Sequence, residues 1–145
     1  MESIYDSDNH IYTRCKSIDR TALELKIQSL YNAKNAYICS SGMNALYLTL
    51  RSIGEYGTNT YNNCTILASD ELYCETKSKI LMMIQKEYPQ LQIVEFQSGN
   101  TVDLINKINL YKNTLVCIFT EGASNPSGKM VDWNQITPVI PKKCY

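Results

Sequence analysis

Residues 91–119, LQIVEFQSGNTVDLINKINLYKNTLVCIF, decide the fold class of this chain. Leu91 to Phe96 and Leu115 to Phe119 are short and largely apolar, as buried strands are. The residues between them repeat at the spacing of one helical face: Leu104, Ile108 and Tyr111. Parallel strands that follow each other along the chain need a crossover connection, so this stretch predicts two strands of a parallel sheet with a helix between them.

The same alternation continues toward the N-terminus. Thr65 to Ala68 predicts a strand, and a turn at 69–71 with a capping residue precedes a helix that Pro89 ends. One face of that helix is predicted to carry Ile80, Leu81, Ile84 and Tyr88. Upstream, the spacing predicts a helix from Arg20 to about Ala33 and a short buried strand at Ala36 to Cys39.

A further helix is predicted to start at Met43, directly after Ser40-Ser41-Gly42. We expect Gly54 and Gly57 to close it and residues 58–63 to form a loop. The fold class is therefore α/β, with alternating helices and a mostly parallel sheet covered on both faces. Residues 1–19 are polar and lack periodicity, which predicts an extended arm ahead of an α/β domain at 20–145.

Composition excludes several classes of function. The 145 residues carry 14 Lys plus Arg and 14 Asp plus Glu, so no global basic field attracts nucleic acid or an anionic membrane. Apolar runs are far shorter than the roughly 20 residues that span a bilayer, and the acidic N-terminus does not resemble a secretory signal. We therefore expect a cytoplasmic protein, with its six cysteines reduced and mostly buried. The single His10 argues against a histidine-based zinc site or a Ser-His-Asp triad, and no metal site is expected.

Two junctions between a predicted strand and a predicted helix are candidate ligand sites. At the first, backbone amides of Gly42 and Met43 would lack helical partners and could bind a phosphate; the alternative is a simple capped turn at Ser41. At the second, the ring of Tyr73 could cover a flat heteroaromatic ligand; the alternative is a surface tyrosine.

Two further segments have a binding interpretation beside a structural one. Asn125-Pro126-Ser127-Gly128 is a turn signature, yet Asn125 after a buried strand could also hydrogen-bond a ligand. Tyr12 and Arg14 in the polar arm could bind a phosphate, although a solvated arm is the ordinary explanation.

Five fragments follow one another along the chain: Tyr12-Thr13-Arg14, Arg20-x-x-Leu23-Glu24, Ser41-Gly42-Met43, Asp70-x-x-Tyr73-x-x-Thr76 and Glu121-x-x-x-Asn125-Pro126-Ser127-Gly128-Lys129-x-x-Asp132. In this order they resemble the Cys/Met-metabolism enzymes that use pyridoxal phosphate. This transsulfuration family includes cystathionine synthases, cystathionine lyases and methionine gamma-lyase. The resemblance implies the N-terminal part of the large domain of a fold-type I pyridoxal-phosphate enzyme.

The resemblance also implies a role for each candidate residue. Gly42 and Met43 would bind the cofactor phosphate, Tyr73 would stack on its pyridine ring, and Asn125 would bond near its phenolic oxygen and the substrate carboxylate. Tyr12 and Arg14 resemble a pair that family members extend to the phosphate of a neighbouring subunit. The implied substrate is a sulfur amino acid, and the implied chemistry is β- or γ-elimination or replacement.

The Schiff-base lysine and the aspartate that binds the pyridinium nitrogen follow the Asn-Pro segment in the family, and neither has a counterpart in these 145 residues. No catalytic residue is therefore assigned, and the chain by itself is expected to be inactive. One alternative is a non-catalytic protein that associates with itself or with a full-length relative. Another is an unrelated α/β domain that binds a nucleotide or phosphate.

Overall fold

The computed structural model describes residues 17–145. Its centre is a parallel sheet of β1 (Cys64–Ser69), β2 (Leu91–Phe96) and β3 (Leu115–Phe119), in the order β2-β1-β3. Both neighbours of β1 run parallel to it, with Ile66 opposite Ile93 on one side and Cys117 on the other. The predicted α/β class and the parallel sheet are confirmed.

Helices precede and separate the strands. Their bounds are α1 Ile18–Leu30, α2 Gly42–Thr60, α3 Met82–Glu87, α4 Thr101–Tyr111 and α5 Trp133–Ile136, with a π-helix at Thr76–Leu81 and a 3₁₀-helix at Thr137–Val139. The α4 helix begins where Asn100 Oδ1 accepts a hydrogen bond from the Asp103 amide, at 3.0 Å. A side-chain acceptor at this position satisfies one of the amides that a helix start leaves unpaired.

Apolar side chains bury both faces of the sheet. The core on one face joins strand residues to α4 and α5 through Leu67, Phe96, Leu104, Ile108, Leu115 and Ile136. On the other face α2 approaches so closely that a Cβ on Gly57 would lie 3.0 Å from Cys64 Sγ and 3.4 Å from Val116. Each fully buried aliphatic side chain contributes roughly 1.5–3 kcal/mol of transfer free energy. This core therefore stabilises the sheet, and with it the positions at which β1 and β3 end.

The chain divides into two compact units, one up to Ala45 and one from Leu46 to Tyr145. The second unit contains the sheet. The first contains α1, which begins at the capping residue Ser17 and buries none of its residues.

Three sequence-based expectations are wrong. Residues 36–39 form no strand, because no other segment within the described chain pairs with them, and the Ile38 amide donates instead to Glu24 Oε1 at 3.0 Å. The α2 helix continues to Thr60, since Gly57 serves close packing and does not end the helix. No residue of the turn at 69–71 caps the next helix, whose N-cap position is Glu75 without a side-chain cap, and the Asp70 carboxylate accepts a hydrogen bond from the Ser98 amide instead.

Smaller differences concern helix type and length. The α1 helix runs from Ile18 to Leu30, three residues short of the expected end at Ala33. The helix after β1 starts as a π-helix at Thr76–Leu81, which a search for 3.6-residue spacing does not detect. The short α5 was not predicted at all.

Candidate functional site

The start of α2 presents free backbone donors. Ser41 Oγ accepts a hydrogen bond from the Asn44 amide at 3.2 Å, and the Ser41 carbonyl accepts one from the Ala45 amide. The amides of Gly42 and Met43 precede these and have no carbonyl partner one turn earlier. A Cβ on Gly42 would meet nothing within 4 Å, so a ligand has access to the backbone here. The capped-turn interpretation is therefore correct for Ser41, and binding of an anion by the two remaining amides stays a prediction.

The loop that follows β1, residues 70–75, is tied to the end of β2. The Ser98 amide donates to Asp70 Oδ1 at 2.8 Å, and the Glu71 amide donates to Ser98 Oγ at 3.4 Å. The buried hydroxyls of Ser69 and Ser98 also hydrogen-bond each other. These contacts anchor the loop that carries Tyr73 to the carboxyl edge of the sheet.

The loop that follows β3, residues 120–132, turns tightly around Ser124. The Gly128 amide donates to the Ser124 carbonyl at 2.7 Å, and the Ser124 amide donates to the Lys129 carbonyl at 2.8 Å. Gly128 has a φ of 70°, a left-handed conformation in which a side chain would be strained. The Asn125–Pro126 bond is cis. The Asn-Pro-Ser-Gly segment therefore forms the turn that its residues predict.

Carboxylates connect these two loops in both directions. From the β1 loop, Glu71 accepts hydrogen bonds from Lys129 Nζ at 2.7 Å, from Ser124 Oγ at 3.0 Å, and from Ser127 Oγ. From the β3 loop, Glu121 Oε1 accepts a hydrogen bond from the Tyr73 amide at 2.7 Å. Each loop thus holds the backbone or the side chains of the other.

These contacts perturb the charged groups. The Lys129 ammonium, followed by the hydroxyls of Ser127 and Ser124, lowers the pKa of the Glu71 carboxyl to about 2. The Glu71 carboxylate in turn raises the pKa of Lys129. Both groups are therefore charged at neutral pH, and Lys129 is a poor amine nucleophile in this state.

The candidate residues lie in different parts of the chain. Tyr73 and Asn125 are exposed on the two connected loops, and 45% of Tyr73 is accessible. Gly42 and Met43 lie in the other compact unit. Tyr12 and Arg14 fall outside the described residues, so their binding roles stay predictions.

The sequence-based search missed the residues that join the loops. Glu71 and Ser124 occupy unspecified positions of the motifs, and Lys129 belongs to a motif that assigns it no role. The signal that could have found them is a charged residue beside each strand end, since parallel strands bring those ends to one edge.

Burial makes the inner thiols unreactive. It raises the pKa of Cys117 to about 12 and that of Cys144 to about 11. Of the five cysteines in the described part, Cys64 and Cys117 are buried, Cys39 and Cys144 are partly buried and Cys74 is exposed, so the expectation that the cysteines are mostly buried is wrong. Within residues 17–145 no cluster of three metal-ligating side chains occurs, and no helix is long and apolar enough to cross a membrane.

Each group of candidate residues, taken by itself, suits one chemical feature of a ligand. Two free amides at the start of a 19-residue helix can bind a phosphate, and an accessible phenol ring can cover an aromatic system. The exposed Asn125 side chain offers both a donor and an acceptor. Pyridoxal phosphate has these features, so the residues present are chemically compatible with it.

Comparison with known proteins points to a family of enzymes that use pyridoxal phosphate. Residues 2–144 match the family model described as Cys/Met metabolism PLP-dependent enzyme. A curated relative, cystathionine beta-lyase from Saccharomyces cerevisiae, is 28% identical and aligns with 96% of this chain but 29% of its own length. The chain therefore spans less than a third of that relative.

A solved structure shares the fold. The putative O-acetylhomoserine (thiol)-lyase from Campylobacter jejuni, determined with N'-pyridoxyl-lysine-5'-monophosphate, matches with a TM-score of 0.60 and 18% identity. The match covers 88% of this chain and 29% of that protein. The three-stranded sheet is accordingly part of a larger domain in that structure.

Proposed function

Because the chain belongs to the Cys/Met metabolism PLP-dependent enzyme family, we propose that residues 1–145 form one part of a pyridoxal-phosphate site for sulfur amino-acid chemistry. The observation that carries the proposal is the start of α2. Ser41 caps the helix there and leaves the amides of Gly42 and Met43 to bind the cofactor phosphate.

The other contacts would come from the two connected loops. Tyr73 would lay its exposed ring on the pyridine ring, and its backbone is held by Glu121. Asn125 would hydrogen-bond near the phenolic oxygen and the carboxylate of the substrate. These residues would bind and orient the ligands, and in the arm Tyr12 and Arg14 would bind the phosphate of a neighbouring subunit.

We propose that residues 1–145 do not include two groups that the chemistry needs. Pyridoxal phosphate, when bound, supplies an electron sink for elimination or replacement beside an amino-acid α-carbon. A lysine must hold the aldehyde and move protons, and a carboxylate must keep the ring nitrogen protonated. Lys129, which lies on the Asn-Pro loop, is committed to Glu71. We therefore propose that these residues bind the cofactor without catalysing turnover. We also propose that the protein is cytoplasmic.

Equilibrium dialysis with pyridoxal phosphate tests the phosphate site. Gly42→Pro removes one amide donor at a helix position where proline is tolerated, and Gly42→Ala keeps the donor and adds a Cβ that meets no atom. Because a hydrogen bond to a charged group contributes about 1.5–3 kcal/mol, we expect Gly42→Pro to weaken binding about tenfold or more. Gly42→Ala should bind as the unaltered chain does.

The measurement also includes pyridoxal, which has no phosphate. The unaltered chain and Gly42→Ala should prefer pyridoxal phosphate, and Gly42→Pro should lose that preference. Equal affinity for both compounds in the unaltered chain, or equal weakening by the two substitutions, would show that the start of α2 is not the phosphate site.

A second candidate function is association with another copy or with a full-length relative. The observation that favours it is α1, where Leu23 and Leu30, which lie on one helical face, are 45% and 74% exposed. Exposed apolar side chains on one helix are typical of an interaction surface. Sedimentation of the full chain, alone and mixed with a full-length relative, tests this candidate. A chain that stays monomeric alone and does not bind the full-length relative would exclude this second function.

A further inference from the structure

We propose that Glu71 and Glu121 are positioning residues that fix the Tyr73 backbone and the Asn125 turn relative to each other. Together with Ser124, Ser127 and Lys129, which donate to Glu71, these two glutamates form a set of residues that we call the carboxylate clamp. The inference rests on the proposed function, because the two loops that it joins would carry the residues that contact the cofactor ring.

The first half of the clamp is Glu71. Its side chain leaves the β1 loop and accepts hydrogen bonds from three side chains of the Asn-Pro turn. Both carboxylate oxygens are engaged, one by Lys129 and the other by the two serines. Across the described chain, every hydrogen bond from residues 124–129 to the β1 loop ends on this one carboxylate. Its removal would therefore disconnect the turn from the β1 loop.

The second half of the clamp runs in the opposite direction. Glu121 belongs to the β3 loop and accepts the Tyr73 amide at 2.7 Å. A shift of one loop past the other would break a hydrogen bond in each half. The clamp thus fixes a backbone position at the residue proposed to stack on the ring.

The proposed ligand-contacting side chains cannot hold themselves in place. Tyr73 and Asn125 are both exposed, so neither is packed into the core. Their positions depend on the backbone that carries them. On the other side the β1 loop is already joined to the sheet edge through Asp70 and Ser98. The clamp extends that anchorage to the Asn-Pro turn.

The competing explanation is an ordinary surface ion pair. An isolated exposed lysine–carboxylate pair contributes only about 0–1 kcal/mol to stability. Side-chain exposure at Lys129 is 47% and at Glu71 27%, so the pair alone would not distinguish the two explanations. The two explanations differ in which part of the molecule a substitution affects. If the clamp positions the loops, its loss should open the two loops locally and leave the sheet unchanged.

Amide hydrogen exchange on the full chain, without cofactor, provides the test. Glu71→Gln and Lys129→Met each remove one side of the ion pair, and Glu121→Gln weakens the acceptor of the Tyr73 amide. The control is Glu75→Gln, since Glu75 pairs with Lys79 within its own helical segment. Lys129→Arg is the conservative variant, because it keeps a cation that can donate to Glu71.

We expect exchange at the amides of Gly128 and Lys129 to become at least about tenfold faster in Glu71→Gln and Lys129→Met. Exchange at the Tyr73 amide should accelerate similarly in Glu121→Gln. Amides of β1 should be unchanged in every variant, and Lys129→Arg and Glu75→Gln should match the unaltered chain.

Two results would overturn the inference. Unchanged exchange in both loops would show that other contacts hold them. Acceleration in β1 as well as in the loops would show a general contribution to stability without a positioning role. Because no cofactor is present, neither result bears on whether the chain binds pyridoxal phosphate, and dialysis decides that question separately.

Discussion

The helices α1 and α4 have similar sequence patterns and very different surroundings. Both begin at a polar capping side chain, Ser17 in α1 and Asn100 in α4, and both repeat leucine and isoleucine at helical spacing. Yet α4 buries Leu104 and Ile108 completely, whereas α1 buries no residue. Local sequence thus determines that each helix forms, whereas burial of its apolar face depends on a segment elsewhere in the chain that packs against it.

The largest effect that separates the two helices concerns their leucines. Leu104→Ala should lower the free energy of unfolding by about 2–5 kcal/mol, because it leaves a cavity against the sheet. Leu25→Ala is the matched change in α1, and at 59% exposure it should alter stability by less than about 0.5 kcal/mol. Urea denaturation measures both. Equal losses would mean that α1 belongs to the same cooperative core.

A smaller effect concerns how the contribution of α4 to the free energy of unfolding depends on pH. Lys107 and the Gln97 amide lower the pKa of the Asp103 carboxyl below its ordinary value of 3.8. The ionised form is favoured in the folded state, so its contribution is complete above pH 3.8 and is lost as the pH falls through the lowered pKa. The pair is an i,i+4 contact and contributes only about 0.3–0.5 kcal/mol.

Asp103→Asn should therefore lose less stability than the unaltered chain when unfolding is measured in urea at pH 6 and again near pH 3. Lys107→Met is the control, since it removes the main cause of the lowered pKa and should fall between the two. An identical pH dependence in all three chains would show that this contact is not formed in solution.

Sequence patterns sufficed for the positions of the three strands and for their alternation with helices, even though β3 pairs with β1 across about 50 residues of chain. The bounds of β2 and β3 coincide with the two apolar runs of residues 91–119, because each run is short and ends at polar residues. The same method fails at 36–39. Those residues are as apolar as a strand, but a strand also needs a neighbour, and local composition does not contain that information.

The candidate site was predictable to a similar degree. Tyr73 and Asn125 could be placed at strand ends, which parallel strands bring to one edge. The carboxylate contacts of Glu71 and Glu121 could not be predicted, because each joins two loops, across 58 and 48 positions respectively, and no strand or helix fixes where those side chains lie. Such contacts depend on loop conformation, which residue types alone do not determine.

We propose that residues 1–145 hold part of a pyridoxal-phosphate site without the lysine that would bind the cofactor covalently. Borohydride reduction of the full chain after incubation with pyridoxal phosphate, followed by peptide mapping of modified lysines, tests this claim most directly. We expect weak labelling spread over exposed lysines, with no lysine modified at stoichiometric yield. Stoichiometric modification of one lysine, Lys129 included, would contradict it.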